Sequence, residues 1–310
     1  MKKILFLFLV GLCSCSQNQS LDEISDSEVK SVQVSIIPSE NEIDSRLNVT
    51  SQLKYLWESN DTIGIFPNKG GQVEFPVTEE SVGTTKANFN GGGWALKSGF
   101  NYSAYYPYNF YNRNAAKIPF SYEGQVLQGS ENRVHLSKYA LMIANPTAVE
   151  NGALTFSMGH VGCILYLKLT LPEAKTYASL ELYADSKIIP VKKIYNILET
   201  GAPEEVVAYN NHLSVGLNNI TTTAANEVVG LWIAFPVMNV EGKTLKAVVK
   251  DSQGYVYVGD IIRTNDTTFS LELARNKAYA VKASPVLSDG FTGGIEDWQN
   301  DGQDYGGTAQ

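Results

Sequence analysis

Short apolar runs separated by turn signals follow one another from residue 29 to residue 283, and no window between residues 47 and 150 keeps an apolar period of 3.6 residues. The first run alternates Val32, Val34 and Ile36 with polar residues, which is the pattern of a half-buried strand. Residues 161–171 form a long apolar run that predicts a central strand. Because the later runs recur at the spacing of sandwich strands, the sequence predicts an all-β chain with two β-sandwich domains in tandem.

The chain has 310 residues, which is enough for two domains of ordinary size. The turn signal Asn145-Pro146, followed by a fresh apolar series, marks the expected boundary. We therefore predict an N-terminal sandwich over residues 29–150 and a C-terminal sandwich over residues 151–285. The glycine-rich, acidic residues 286–310 cannot build a core alone, so we expect a flexible C-terminal tail.

The first residues have the order of a secretory signal. Lys2 and Lys3 precede an apolar run over residues 4–12 that is too short to span a bilayer as a mature helix. A leucine then stands three places before Cys15, with small residues between them, which is the shape of a lipobox. This spacing predicts a lipoprotein signal peptide over residues 1–14.

In a lipoprotein the cysteine carries several acyl chains, which anchor a protein stably where a single chain does not. We therefore predict lipidation at Cys15, followed by a polar, flexible tether over residues 15–28. A plain secretory signal with an incidental cysteine pair is the alternative interpretation. Under either interpretation the remainder of the chain is exported.

The charge and the cysteine content of the sequence exclude some classes of partner and some cysteine chemistry. The formal net charge is −8, which argues against binding to nucleic acid and against electrostatic binding to anionic lipid. Once Cys13 has left with the signal and Cys15 carries lipid, Cys163 is the single remaining cysteine, so no intramolecular disulfide can form. Cys163 lies in an apolar run, which favours a buried, inert thiol.

The sequence nominates no catalytic group, metal site or cofactor. It contains no H-E-x-x-H, G-x-S-x-G, phosphate-binding loop or C-x-x-C motif. Its histidines are His135, His160 and His212, which lie in separate segments without the spacing of metal ligands. We interpret His160 as a hydrogen-bonded residue at a strand junction. The chain is therefore predicted not to be an enzyme.

A cluster of aromatic side chains leaves two interpretations open. It could stack on sugars, or its alternating members could fill a sandwich core and an interface. The cluster consists of Tyr102, Tyr105, Tyr106, Tyr108, Phe110 and Tyr111.

Several stretches together resemble a known family. Residues 57–66 match the pattern W-x-x-x-D-x-I-G-hydrophobic-F of the fimbrillin family, the type V pilus subunits and adhesins of Gram-negative anaerobes. Further stretches are similar to motifs of that family in the same order, although Ala140 replaces its usual acid. They are residues 87–89, 100–108, 136–142 and 156–160. The resemblance extends over about residues 29–285.

The resemblance implies two transthyretin-like, Ig-like β-sandwich domains and export as an outer-membrane lipoprotein. It also implies a structural or adhesive pilus subunit at the cell surface. In the family a trypsin-like protease cuts after a basic residue near the first strands. The released strand leaves a groove for the C-terminal segment of a neighbouring pilin. Implied partners are thus other pilin subunits, outer-membrane lipid, the maturation protease and a host or bacterial surface ligand.

Arg46 stands in a charged connector after the first strand, so we predict cleavage between Arg46 and Leu47, with Lys54 as the second choice. The tail supplies three spaced apolar residues as donor-strand anchors: Phe291, Ile295 and Trp298. The alternative function is a surface lipoprotein that does not polymerise and binds glycan through exposed tyrosines.

Overall fold

The computed structural model describes residues 28–29, 31–38, 40–41, 55–91, 96–240, 242–264 and 272–288. Almost all regular structure in these residues is β-strand, because short runs with branched and aromatic side chains favour extended backbone. The first strands are β1 (Ser31–Ile36), β2 (Glu40–Asn41), β3 (Thr62–Pro67), β4 (Val73–Pro76), β5 (Lys86–Phe89), β6 (Asn101–Tyr106), β7 (Ile118–Ser121), β8 (Gln125–Leu127), β9 (Met142–Ala148) and β10 (Ala153–His160).

The second half of the chain continues the series. Its strands are β11 (Cys163–Leu171), β12 (Thr176–Ala184), β13 (Ile189–Tyr195), β14 (Glu204–Asn210), β15 (His212–Thr221), β16 (Glu227–Phe235), β17 (Met238–Asn239), β18 (Leu245–Asp251), β19 (Val256–Asp260), β20 (Ile262–Arg263), β21 (Glu272–Leu273), β22 (Lys277–Ala283) and β23 (Val286–Leu287). Two 3₁₀ helices, Glu79–Ser81 and Val134–Tyr139, interrupt the strands. The predicted all-β, sandwich-type fold is confirmed.

The first sheet, sheet A, has the strand order β4-β3-β6-β9-β10-β1-β5. Its two outer strands meet, because Thr78 N donates to Asn88 O at 2.9 Å and Asn90 N donates to Pro76 O at 3.0 Å. The sheet thus folds over on itself around one apolar core. That core contains Trp57, and alternate residues of the strands point into it.

The second sandwich contains two sheets. One, sheet C, has the order β16-β11-β22-β2, with β20 also paired to β22, and the other, sheet E, has the order β23-β19-β18-β12-β15-β8. Strands β11 and β16 pair along nine residue positions, from Cys163 opposite Phe235 to Leu171 opposite Glu227. Their buried side chains pack against those of β12, β15 and β18 in a single large core.

Strands from the first half of the chain also complete structure in the second half. Strand β7 pairs with β13 in a three-stranded sheet with β14, and β8 pairs in parallel with β15. The side chain of Gln125 behaves like an extra peptide unit: its amide donates to Ala234 O at 2.8 Å and accepts from Ala234 N at 2.9 Å. Gln125 therefore links the β8 edge of sheet E to strand β16 of sheet C.

Strand β10 does not begin the second sandwich, as its sequence suggested. It pairs in parallel with β1 and antiparallel with β9, so it belongs to sheet A up to His160. The physical reason is that its buried side chains, Leu154, Phe156 and Met158, alternate into the core that contains Trp57. The two-domain division itself stays a prediction, and sheet A extends ten residues past the expected limit at residue 150.

Candidate functional site

Strand β1 occupies an interior position in sheet A. It pairs in parallel with β10 over residues 31–36 and antiparallel with β5 over residues 32–35. Val32, Val34 and Ile36 are only 5%, 0% and 8% exposed. A single six-residue segment therefore contributes two hydrogen-bond ladders and three core side chains.

The side chains around β1 come from strands that are distant in sequence. The Trp57 ring packs edge-on against Phe89, at a centroid distance of 5.0 Å, and against Tyr106, at 5.3 Å. Trp57 is 1% exposed and closes the core beside the end of β1. The tryptophan of the W-x-x-x-D pattern is therefore a core residue.

The aspartate of that pattern fixes the turn before β3. Asp61 accepts a hydrogen bond from the Tyr106 hydroxyl at 2.7 Å and another from Glu58 N at 2.7 Å. Burial, followed by the hydrogen bond to Asp61 and the charges of Asp61 and Glu58, raises the pKa of Tyr106. Both carboxylates therefore lie near this hydroxyl.

The segment after β1 reaches the second sandwich. Asn276 Nδ2 donates to Pro38 O at 2.9 Å, and β2 pairs in parallel with β22. Ile37 N donates to Met158 O at 2.8 Å, which extends the contact with β10. The chain from β1 to β2 thus contacts both halves of the molecule.

The site residues predicted from sequence lie outside the described residues. This holds for the lipidation site, the cleavage site and all three donor-strand anchors: Cys15, Arg46, Leu47, Phe291, Ile295 and Trp298. The tail begins with a structured segment, since Val286 and Leu287 form β23 at the edge of sheet E beside β19. Both residues are exposed, at 65% and 49%.

The aromatic cluster proves to be mainly structural. Tyr102 and Tyr106 lie in the core beside Trp57, whereas Tyr105 lies in a second cluster that also contains Tyr195 of β13. The alternation of β6 thus points its tyrosines into two different cores, as the second of the two interpretations predicted. Phe110 and Tyr111 are exposed, at 57% and 85%.

A cleft of about 290 Å³ opens beside the end of β1. The second 3₁₀ helix and residues 55–61 form its other walls. Nothing in the sequence signalled this cleft, because its lining comes from segments that are far apart along the chain. Its lining residues include Ile36, Trp57, Glu58, Asp61, Tyr106, Arg133, Leu136, Ala140 and Met142.

His160 lies where sheet A meets the second sandwich. Its ring packs against the Tyr55 ring at a centroid distance of 4.0 Å, and no described residue hydrogen-bonds its buried Nε2. Burial lowers the pKa of His160 to about 4, because the site does not solvate the charged form. The expected role at a strand junction is thus correct in position, but the ring is packed rather than hydrogen-bonded through Nε2.

Cys163 is 3% exposed, and its thiol lies 3.4 Å from Phe235 O. Burial raises the pKa of this thiol, which disfavours the reactive thiolate. Within the described ranges, no three His, Cys, Asp or Glu residues are grouped so that they could hold a metal ion. No helix in the same ranges is long and apolar enough to cross a membrane.

No protein-family model matches the chain, and no curated protein matches its sequence. Solved structures do match. A candidate cell adhesion protein from Bacteroides uniformis gives a TM-score of 0.51 at 15% identity, covering 86% of this chain and 98% of that chain. A similarly described protein from Bacteroides ovatus gives 0.49 at 15% identity, covering 84% and 95%.

The tip fimbrial protein Mfa3 from Porphyromonas gingivalis, with a C-terminal truncation, gives a TM-score of 0.37 at 12% identity and covers 75% of this chain and 95% of that chain. Of these three, the Bacteroides uniformis protein is similar enough to support the fold of this chain, and it supports nothing beyond the fold. The resemblance indicated by the sequence motifs is therefore confirmed at the level of fold. The matched proteins are described as adhesion or fimbrial proteins, not as enzymes.

Proposed function

We propose that the chain is a non-enzymatic, structural or adhesive subunit of a fimbrillin-type pilus, assembled by strand exchange in which β1 is the leaving strand. The position of β1 carries the proposal. A strand hydrogen-bonded on both sides, with three buried side chains, would leave a groove with two open edges on departure. Such a groove is the acceptor geometry for an added strand from another chain.

Proteolysis is the proposed trigger. Residues 42–54 connect β2 to Tyr55, and this connector contains Arg46. A cut between Arg46 and Leu47 would separate β1 and β2 from the rest of the fold, so that they would be held by non-covalent contacts alone. A trypsin-like maturation protease is the partner that fits this site.

The proposed donor is the C-terminal tail. It follows β23 in the sequence and carries the apolar residues Phe291, Ile295 and Trp298. Inserted beside β10 and β5 of a neighbouring subunit, it would replace the hydrogen bonds and the side chains of β1. Other pilin subunits, of the same or a related sequence, are therefore the proposed partners.

Brief trypsin treatment of the mature chain, followed by mapping of new N-termini and sizing, tests this proposal. We expect a new terminus at Leu47 and the formation of oligomers. Deletion of residues 289–310 should abolish the oligomers but leave the cleavage. Chains that remain monomeric after clean cleavage at Arg46 would contradict strand exchange.

We further propose that Cys15 is lipidated and anchors the chain to the outer membrane at the cell surface. The lipobox spacing supports this proposal. Cys15→Ala should release the chain from the membrane fraction, whereas Cys13→Ala should not. The alternative function, glycan binding through the tyrosine run, loses support because Tyr102, Tyr105 and Tyr106 are at most 8% exposed.

A further inference from the structure

The cleft beside β1 has an apolar floor. Ile36, Leu136, Ala140 and Met142 line it, and each is at most 8% exposed. These side chains come from β1, from β9 and from the segment of the second 3₁₀ helix, so the floor is fixed by both cores. A flat C–H surface of a small ligand could pack on this floor without displacing any strand.

One wall of the cleft carries hydrogen-bond acceptors. Glu58 and Asp61 both line it, and Glu58 is exposed. Asp61 is held in place by the Tyr106 hydroxyl and by Glu58 N, both at 2.7 Å. The Asp61 carboxylate is therefore preorganised at this wall, and Glu58 adds an exposed carboxylate beside it; both have acceptor capacity left for hydroxyl groups of a ligand.

The cleft is also lined by Arg133, a cationic hydrogen-bond donor. Trp57, 1% exposed, lines it, and its buried Nε1 has no acceptor among the described residues. Because that nitrogen is buried from solvent, a ligand in the open cleft does not reach it. The guanidinium carbon of Arg133 lies 4.0 Å from the centre of the Trp232 ring.

These groups discriminate among ligand classes. An anion would approach the carboxylates of Glu58 and Asp61, and a purely apolar ligand would desolvate both of them. A cation would approach the guanidinium of Arg133, which also lines the cleft. A neutral ligand with several hydroxyl groups can donate to the carboxylates, accept from nitrogen donors and pack its C–H face on the apolar floor.

We infer that this cleft binds one sugar ring of a neutral saccharide. Its volume of about 290 Å³ lies at the lower end for ligand pockets, which suits a single ring rather than a long chain. The site is separate from the exposed aromatic pair Phe110 and Tyr111. The inference concerns the chain with β1 in place, because Ile36 of β1 lines the cleft, and it does not require strand exchange.

The test is saturation-transfer NMR on the intact chain with four neutral methyl glycosides: α-mannoside, β-galactoside, β-glucoside and N-acetyl-β-glucosaminide. At least one should bind with millimolar affinity. Glu58→Ala should weaken its binding about tenfold or more, as expected for the loss of a charge-assisted hydrogen bond. The matched control Glu205→Ala removes an exposed glutamate from β14 and should leave binding unchanged.

Ala140→Leu provides a second variant, because it fills the cleft from its buried floor and should abolish binding. Thermal melts of both variants establish that they remain folded. Three results would overturn the inference: no glycoside binds, binding survives both substitutions, or only the charged probes 1-aminopentane or methyl glucuronide bind.

Discussion

Each of the two sandwiches is completed by one strand, and these two strands differ in how the chain connects them to the rest of the fold. The core beside Trp57 is completed by β1, a strand near the start of the chain that precedes the connector containing Arg46. The second sandwich is completed by β8, which lies between β7 and β9 and is therefore held by the fold on both sides. One cut in that connector would leave β1 held by non-covalent contacts alone, whereas no single cut would separate β8 from the chain on both of its sides.

The two strands also differ in the interactions that they make with the fold. Burying a valine or isoleucine side chain contributes about 1.5–3 kcal/mol, so β1 stabilises its core strongly while it is present. The β8 segment instead ties the edges of two sheets together through Gln125. Under the proposed strand exchange, the first sandwich would exchange a strand, whereas the second would keep all of its strands.

The largest effect is expected where a charge replaces a core side chain of β1. Val34→Asp should destabilise the first sandwich by about 4–5 kcal/mol, because a carboxylate would be buried without a partner. Calorimetry should then show a separate low-temperature transition, while the second sandwich still melts near its original temperature. Ser31→Asp, on the exposed end of the same strand, is the control.

Strand β11 gives the matching probe of the second sandwich. Leu167 is 0% exposed at the middle of the β11–β16 pairing, so Leu167→Ala should cost about 3 kcal/mol through lost contacts and the cavity it leaves. Val228→Ala, at an exposed position of β16, should change the free energy of unfolding by less than about 0.5 kcal/mol. Denaturant titration distinguishes the two values, and equal values would contradict the assigned core.

Substitution of Gln125 tests how strongly β8 is held in the fold. Gln125→Ala leaves the N–H and C=O groups of Ala234 unpaired, so we expect a loss of about 2–3 kcal/mol. Gln128→Ala, on the exposed side of the same segment, is the control, because its side chain makes only a 3.5 Å contact with Asn218. Hydrogen exchange should show faster exchange in β15 and β16 of the Gln125 variant alone.

The buried ring of His160, where sheet A meets the second sandwich, should make the stability of the fold depend on pH. Its folded pKa of about 4 lies below the ordinary value of 6.5, so the unfolded chain binds more protons between these values. Stability should therefore fall as the pH drops, by about 2 kcal/mol from pH 7 to pH 5 for this group. His160→Gln should remove that part of the pH dependence. Identical pH profiles for the wild type and His160→Gln would refute the assignment.

Much of the local structure could be predicted from the sequence. The alternation of Val32, Val34 and Ile36 indicated a half-buried strand, and the apolar run after Val161 indicated a central one. The partners could not be predicted in this way, because sheet pairing joins segments that are distant along the chain. Strand β10 shows the difficulty: its alternation was recognised, but its place in sheet A was not.

The same limit applies to the sites. Gln125 is polar and stands among turn residues, so nothing local indicated that its amide pairs with Ala234 in the interior. The residues that line the cleft beside β1 are spread along the chain from Ile36 to Met142. No sequence motif extends over so long a stretch. By contrast, the pattern that resembles the fimbrillin motif already contained Trp57 and Asp61, which the structure places in the core and in the turn before β3.

The most direct test of strand exchange is to lock β1 in place. Gln33 of β1 and Asn88 of β5 are register partners whose side chains touch, with Nε2 of Gln33 3.3 Å from Oδ1 of Asn88. In a chain with Cys13 and Cys15 replaced by serine, Gln33→Cys with Asn88→Cys should form a disulfide, while buried Cys163 stays inert. After trypsin cleavage the oxidised chain should remain monomeric, and the same sample should form oligomers when it is reduced. Oligomers of equal amount in the oxidised and reduced samples would contradict the departure of β1.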